Sequence, residues 1–346
     1  MSIEFNSKSE KSRLEVLTAD LLLSAKRLGV DACEVAASTS VGLDIQARLG
    51  QPEKLEMTRD QSMSVTAFIG QSRGSASTTD LSERAIRRTL DAAIAIARVT
   101  APDPAAVLAG PDQIIQEVPD LDLFHPWELT AEEALELAIA VEAAGFAKDS
   151  RITNSDGGSV SSVHGVSVHG TTEGLLVSQA NSLHGISCVL LAEEGGSRER
   201  SYAYTQSRCS ELLRSVQSVG QKAAEKTVAR LNPRKCETGE IPVLFLPDVA
   251  SGLLSSFIGA ISGGSVYRKA SYLLDRLDTQ VMPEWASLGE EPLLKGAMGS
   301  SAYDGDGLPT RAQYFVRDGV LNSYILSLYS ANRLGLESTH NAGGAR

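Results

Sequence analysis

The stretch "DGGSVSSVHGVSVHGTTEGLLVSQANSLHGISCVLLAEE", residues 156–194, decides the fold class of this 346-residue chain. Its apolar residues alternate with polar ones, and glycine and serine mark its turns. Alternation with a period of two places every second side chain on the same face of a strand. The stretch therefore predicts antiparallel strands with one buried face. Residues 33–78 have the same pattern, as in the series Val41, Leu43, Ile45 and Ala47.

Helical segments flank both strand regions. Apolar residues recur every three or four positions between residues 12 and 28, and Gly29 follows as a natural stop. Capping-box patterns at residues 80–83 and 130–133 predict two further helices, and the amphipathic stretch 211–231 predicts a fourth. The order helix, strands, helix therefore occurs twice. This order is typical of an α+β fold rather than of alternating βαβ units, and we predict an N-terminal half of antiparallel sheets flanked by helices.

The last third of the chain begins with "IPVLFLPDVASGLLSSFIGAISGGSVYRK", residues 241–269. It predicts a short buried strand, a helix, a glycine-rich turn and a basic patch. A second helix is expected near residues 266–275, and Asp318-Gly319 predicts a two-residue hairpin turn. We predict three domains, namely an α+β domain over residues 1–120, a second over residues 121–235, and a third over residues 236–346.

The composition excludes several classes of partner. A net charge of −11 has the wrong sign for binding a nucleic-acid duplex. The apolar runs are much shorter than the ~20 residues that a membrane-spanning helix needs. The N-terminal residues lack the apolar core of a secretion signal, and the four cysteines are far apart. These features indicate a cytoplasmic protein with free thiols and with no nucleic-acid or membrane partner.

Few residues fit a standard catalytic or metal-binding pattern. No two of the five histidines are four residues apart, and His164 and His169 should face opposite sides of one strand. The stretch "DGDGLPT", residues 304–310, begins like a calcium loop. However, Pro309 occupies the position of the loop glycine, and Phe315 that of the bidentate glutamate.

A family resemblance rests on four stretches. They are "LFLPDVASGLLSSFIGAISGGSVYRKASYLLDRLD" (residues 244–278), "SDGGSVSS" (155–162), "VRDGVLNSYIL" (316–326) and "LYSANRLGLESTHNAGG" (328–344). With these, the chain resembles the PmbA (TldE) branch of the TldD/PmbA family, also called modulators of DNA gyrase. The resemblance covers nearly the whole chain and implies a helix-and-sheet N-terminal half and a β-rich C-terminal half. It also implies a longer protein, so that the last domain would be truncated here.

The resemblance implies a role in proteolysis. TldD-type and PmbA-type members pair as a cytosolic metallopeptidase that degrades unfolded peptides and trims leader peptides. The TldD type carries a His-Glu-x-x-x-His metal motif, whose three key positions match Pro247, Asp248 and Gly252 here. Proline and glycine have no side-chain ligand atom, and Asp248 is better suited to capping the helix. We therefore expect no catalytic, metal-binding or cofactor-binding residue in this chain, and zinc in a TldD-type partner.

Five residues of the glycine-rich turn are candidates for contact with a peptide substrate or with the partner: Ser262, Gly263, Gly264, Tyr267 and Arg268. The alternative is a helix–helix turn in which the glycines supply positive φ angles and Arg268 is solvated. Two other functions stay open. One is a non-enzymatic protein that binds and modulates a toxin or topoisomerase. The other is an active peptidase with an unusual site made of Asp248, Asp304 and Asp306.

Overall fold

One antiparallel sheet of six strands organises most of the chain in the computed structural model, which describes residues 5–346. The elements of this part are α1 (Ser7–Arg27), β1 (Ala32–Arg48), β2 (Gln51–Ile69), β3 (Ser72–Thr78), α2 (Glu83–Val99), α3 (Ala131–Phe146), β4 (Ile152–Thr171), β5 (Leu176–Glu194), β6 (Ser197–Ser207) and α4 (Val216–Val228). The strand order across the sheet is β3-β2-β1-β4-β5-β6. The predicted α+β class, with antiparallel strands and flanking helices, is confirmed.

The two halves of this sheet have the same order of elements. The first half runs α1, three strands and α2, and the second runs α3, three strands and α4. Strands β1 and β4 lie side by side at the centre and pair antiparallel, from Glu34 opposite Thr171 to Ala47 opposite Gly158. The repeated order seen in the sequence therefore builds one continuous sheet.

All four helices pack on one face of the sheet. Two clusters of buried side chains lie beneath them, one under α1 and α2 and one under α3 and α4. The strand residues in these clusters alternate along the chain, for example Val35 and Ala37 in β1 or Val166 and Val168 in β4. The other face carries small polar side chains, such as Ser38 and Ser62, whose hydroxyl oxygens are 3.0 Å apart. The period of two read from the sequence sorts the residues between these faces.

The ends of the helices agree only in part with those predicted from the sequence. Thr130 and Glu133 form the predicted capping box of α3, and Gly29 has the expected positive φ of 78°. Helix α2 begins after Ser82, which caps it in place of the predicted Asp80. Helix α4 begins at Val216, because the preceding residues form a separate 3₁₀ turn, Ser210–Leu212.

The last third of the chain contains short elements: α5 (Pro247–Ile261), α6 (Gly263–Tyr267), β7 (Leu288–Glu290), β8 (Gln313–Arg317), β9 (Val320–Leu321) and α7 (Leu328–Leu334). The predicted Asp318-Gly319 turn joins β8 to β9 and is confirmed. The predicted helix over residues 266–275 is wrong. The chain leaves α6 at Tyr267, and Lys269 has a φ of 56°, which a right-handed helix does not accommodate.

The predicted buried strand at residues 241–246 is also wrong. This run is not part of a strand, and its side chains face solvent, with Leu244 87% exposed. A strand needs a neighbouring backbone to accept and donate its hydrogen bonds. No segment of the described chain takes that position, so the apolar run stays outside any sheet.

The last third packs against the end of the sheet near the β4–β5 turn. Leu175 and Val177 share an apolar cluster with Ala302, Leu308 and Leu328. Two further contacts join the last third to earlier segments. Arg208 donates to the carbonyl oxygens of Ala297 and Met298, and Arg333 forms an ion pair with Asp103.

In the described part of the chain, no helix is both long and apolar enough to cross a membrane.

Candidate functional site

Helix α5 carries the positions that match the TldD metal motif. Pro247 lies in its first turn, as expected, because its missing N–H has no partner to lose there. The predicted capping role of Asp248 is wrong, since Leu246 occupies the N-cap and no side chain caps this end. The Asp248 carboxylate instead accepts a 2.7 Å hydrogen bond from Lys226 Nζ, and this bond and the lysine charge lower its pKa.

The α5 positions do not fit a zinc ion. Pro247 and Gly252 have no side-chain donor atom, and Asp248 is engaged by Lys226. Across residues 5–346 there is no group of three or more His, Cys, Asp and Glu side chains that could hold a metal ion. His169 donates to Glu34 on the polar face of the sheet, whereas His164 lies on the helix-covered face.

The candidate residues of the glycine-rich turn converge on a cavity of about 280 Å³. Four of the five line it: Ser262, Gly263, Gly264 and Tyr267. Its other walls come from residues that the sequence analysis did not single out, namely Ile325, Ser327, Tyr329, Ser330, Asn341, Gly343 and Gly344. The cavity therefore joins α6 to the start of α7 and to the loop after it.

Arg268 does not line the cavity but lies against Tyr267, which does. Its guanidinium carbon is 5.4 Å from the centre of the Tyr267 ring, within the range of a cation–π contact. Its Nη1 also donates to the Tyr267 hydroxyl at 3.3 Å. Arg268 is exposed, as the alternative interpretation expected. Its guanidinium packs on Tyr267, which is a wall of the cavity.

The proposed reason for the two glycines is corrected. Neither Gly263 nor Gly264 has a positive φ, because both are part of α6. Gly263 is needed for space: an added Cβ would meet Ser330 Oγ and lie 2.5 Å from Ser330 Cβ. The Gly263 N–H donates to the Ile325 carbonyl at 2.8 Å, which fixes this close approach.

An aromatic wall connects the cavity to the first strands. The Tyr267 and Tyr329 rings meet edge to face, with centroids 5.7 Å apart. The Tyr329 hydroxyl donates to Asp103 at 2.9 Å, and the Arg73 guanidinium lies 5.2 Å from the Tyr329 ring centre. Residues distant in the sequence therefore hold this ring. The signal for Tyr329 in the sequence is its place in "LYSANRLGLESTHNAGG", one of the stretches that carry the family resemblance.

Asp304 and Asp306 organise the backbone between the cavity and the sheet. Asp304, which is 2% exposed, accepts hydrogen bonds from the N–H groups of Asp306, Leu308 and Ala342 at 2.9–3.0 Å. Asp306 accepts one from the Leu328 N–H at 2.7 Å. Because these carboxylates bind backbone groups and Asp248 binds Lys226, the geometry does not favour a hydrolytic site made of the three aspartates.

One pattern of a catalytic serine escaped the sequence analysis. Gly70, Ser72 and Gly74 have the Gly-x-Ser-x-Gly spacing of a nucleophile elbow, which requires a sharp turn from a strand into a helix. Here the pattern spans the hairpin from β2 to β3, and Ser72 Oγ donates to the Thr100 carbonyl at 2.8 Å. The serine is therefore part of a turn and has no elbow geometry.

Comparisons with known proteins give a consistent result. Residues 33–97, 124–231 and 238–346 match models of domain 1, the central domain and the C-terminal domain of PmbA/TldA metallopeptidases. The chain is 43% identical to metalloprotease PmbA of Escherichia coli O157:H7 over 95% of this chain and 72% of that protein. It is 41% identical to a PmbA homologue of Haemophilus influenzae over 97% of this chain and 74% of that protein.

A solved structure has the same fold. It is described as a modulator of DNA gyrase from Bacteroides thetaiotaomicron, and it superposes with a TM-score of 0.90 at 26% identity. The alignment covers 95% of this chain and 76% of that chain.

Proposed function

Because the chain belongs to the PmbA/TldD metallopeptidase family, we propose that it is the PmbA/TldE-type subunit of a cytoplasmic peptidase complex. In this proposal a TldD-type partner carries the zinc ion and cleaves unfolded or leader peptides. This chain completes the assembly and lines part of the peptide path.

One observation carries the proposal. The helix that would hold the metal motif is kept as α5, but its three key positions are Pro247, Asp248 and Gly252. The side chains of proline and glycine cannot bind zinc, and Asp248 forms an ion pair with Lys226. A folded family member without ligand atoms at these positions is suited to supporting a partner.

The cavity at α6 is the part of the chain that we assign to the peptide path. It offers hydroxyl groups from Ser262, Ser327 and Ser330 and two tyrosine rings, without a charged side chain in its lining. Such a surface can hydrogen-bond a peptide backbone while it accepts varied side chains. Low selectivity is what the handling of unfolded peptides requires.

The test measures metal content and casein hydrolysis of the purified chain, alone and mixed with a TldD-type peptidase. We expect neither bound zinc nor hydrolysis from the chain alone, and hydrolysis in the mixture. Gly264→Leu should lower the activity of the mixture several-fold, because Gly264 lines the cavity and a leucine side chain would displace the Arg268 guanidinium beside it. The control Ser255→Leu, on the exposed surface of α5, should leave it unchanged.

Two results would contradict the proposal. Stoichiometric zinc and hydrolysis by the chain alone would mean that its ligands lie elsewhere. Failure to bind a TldD-type protein would favour the alternative function, a non-enzymatic modulator of a toxin or topoisomerase.

A further inference from the structure

A second cavity, of about 510 Å³, lies on the helix-covered face of the sheet, remote in sequence from α5 and α6. Its floor is made by strands β1, β2 and β4, through residues such as Val41, Met57 and His164. Its sides are Phe5, just before α1, and the segment 126–129, just before α3. The volume falls within the range of about 300–1,000 Å³ that is usual for small-molecule sites.

The other polar side chain of the floor, that of Ser162, is already engaged. Ser162 Oγ lies 2.9 Å from His184 Nδ1, and His184 Nε2 lies 2.8 Å from the His125 carbonyl oxygen. A carbonyl oxygen only accepts, so Nε2 carries the proton and Nδ1 accepts from the Ser162 hydroxyl. This pair is therefore satisfied within the protein.

His164 differs from this pair. Its Nδ1 is buried and has no hydrogen-bond partner within residues 5–346. Burial, with a smaller contribution from His184, lowers the pKa of His164, so the imidazole is neutral at neutral pH. Buried polar atoms in native proteins are rarely left unpaired, so His164 is the polar side chain of this cavity whose hydrogen bonds the described protein does not supply.

The surroundings of His164 are aromatic. The Phe5 and Phe124 rings meet it edge to face, with centroids 5.2 and 6.1 Å away. Trp127 forms a further wall, and the exposed Glu128 gives the rim a negative charge. Aromatic walls favour a planar ring, and the rim carboxylate disfavours an anion.

We propose that this cavity binds a neutral phenolic ring, with the ring against Phe5 and Trp127 and the hydroxyl hydrogen-bonded to His164. A phenol hydroxyl both donates and accepts, so it suits either tautomer of the imidazole. The ring can belong to a free phenol or to a tyrosyl side chain. The site is independent of the peptidase role, and its test needs no partner protein.

The experiment titrates the whole chain with N-acetyl-tyrosinamide, with p-cresol, and with N-acetyl-phenylalaninamide, which lacks the hydroxyl. Calorimetry or ligand-observed NMR gives each Kd. We expect saturable binding of a phenolic probe, and about fivefold weaker binding of the phenylalanine compound, as the loss of one hydrogen bond predicts. Tighter binding of p-cresol would indicate a free phenol as ligand, and tighter binding of N-acetyl-tyrosinamide a peptide side chain.

Two residues of one strand provide matched variants. Met57 lines the cavity, whereas Leu55, two residues earlier on the same face of β2, does not. Both are partly exposed, at 39% and 58%. Met57→Trp should raise the Kd of the phenolic probe at least tenfold by filling the cavity. Leu55→Trp should leave it within twofold.

His164→Phe tests the hydrogen bond itself. It should abolish the preference for N-acetyl-tyrosinamide over N-acetyl-phenylalaninamide, whatever its effect on stability. The proposal is overturned if neither phenolic probe binds the unmodified chain, if Met57→Trp binds as tightly as the unmodified chain, or if the preference survives His164→Phe.

Discussion

Gly263 and Gly264 are neighbours in α6, but their surroundings make different demands on a side chain. The space beside Gly263 is filled by Ser330 of α7 and by Leu326, which lies just before that helix. Beside Gly264, the atoms nearest to an added Cβ would be those of the Arg268 guanidinium, at 3.5 Å, an ordinary contact distance. The contact between α6 and α7 therefore depends on one glycine.

Gly263→Ala should destabilise the protein by about 1–3 kcal/mol, because the new Cβ displaces Ser330 or moves the helix. Gly264→Ala is the matched control. It should be neutral or stabilise by about 0.5 kcal/mol, since alanine restricts the unfolded chain. Urea unfolding measures both. Equal stability of the two variants would contradict the packing argument.

At the scale of elements, α3 and α4 approach each other through glycines. Gly220 of α4 lies against the backbone of α3, where an added Cβ would meet the Val141 carbonyl oxygen and lie 2.9 Å from the Gly145 nitrogen. Backbone atoms of a packed helix cannot rotate away as a side chain can. The crossing of these two helices is therefore set by the absence of a side chain.

Gly220→Ala should lower the free energy of unfolding by about 2 kcal/mol, because overpacking exceeds the gain in helix propensity. Gly259→Ala, in the exposed part of α5 with no atom within 4 Å of its Cβ, is the control. It should stabilise slightly. Thermal unfolding distinguishes them, and a Gly220→Ala protein as stable as the original would show that the helices can separate without cost.

At the scale of the whole molecule, the turn at residues 304–308 connects the sheet to the last third of the chain. Asp306 binds the Leu328 N–H at the start of α7. Burial raises the pKa of Asp306 to about 6, although the Leu328 N–H lowers it. The charges of Asp304 and Glu34 add to the increase, and His169 opposes it. Three further ionisable groups, two in the sheet and one in the last third of the chain, therefore influence this contact.

The sign of the pH dependence follows from this pKa. The pKa of an aspartate in the unfolded chain is about 3.9. Between about pH 4 and 6 the folded state therefore binds more protons than the unfolded state. The stability that protonated Asp306 contributes is present below about pH 4 and is lost as the pH rises through about 6. The protein should become less stable over this interval through this group.

Asp306→Asn should remove this part of the pH dependence, because an amide does not ionise and its oxygen still accepts from Leu328. At pH 7.5 the variant should be more stable than the original by on the order of 2 kcal/mol, and near pH 4 the two should be equal. Urea unfolding at several pH values measures this difference. The exposed Asp112→Asn is the control, and a constant difference at all pH values would refute the assignment.

The sequence alone determined the features that depend on near neighbours. A period of two placed the residues of β1 and β4 on the correct faces, and Thr130 with Glu133 marked the start of α3. Side-chain chemistry at Pro247 and Gly252 was enough to exclude metal ligands there. Such features are local, because strand alternation and helix capping involve residues at most a few positions apart.

Only the tertiary structure decided how distant segments meet. It placed β1 beside β4 in one sheet, left residues 241–246 without a strand partner, and brought Tyr329 to Arg73 and Asp103. It also showed that Gly263 is needed because Ser330 packs closely against it, and not because of a positive φ angle. These outcomes depend on the sum of many weak contacts between residues far apart in the chain, and no local pattern in the sequence reports that sum.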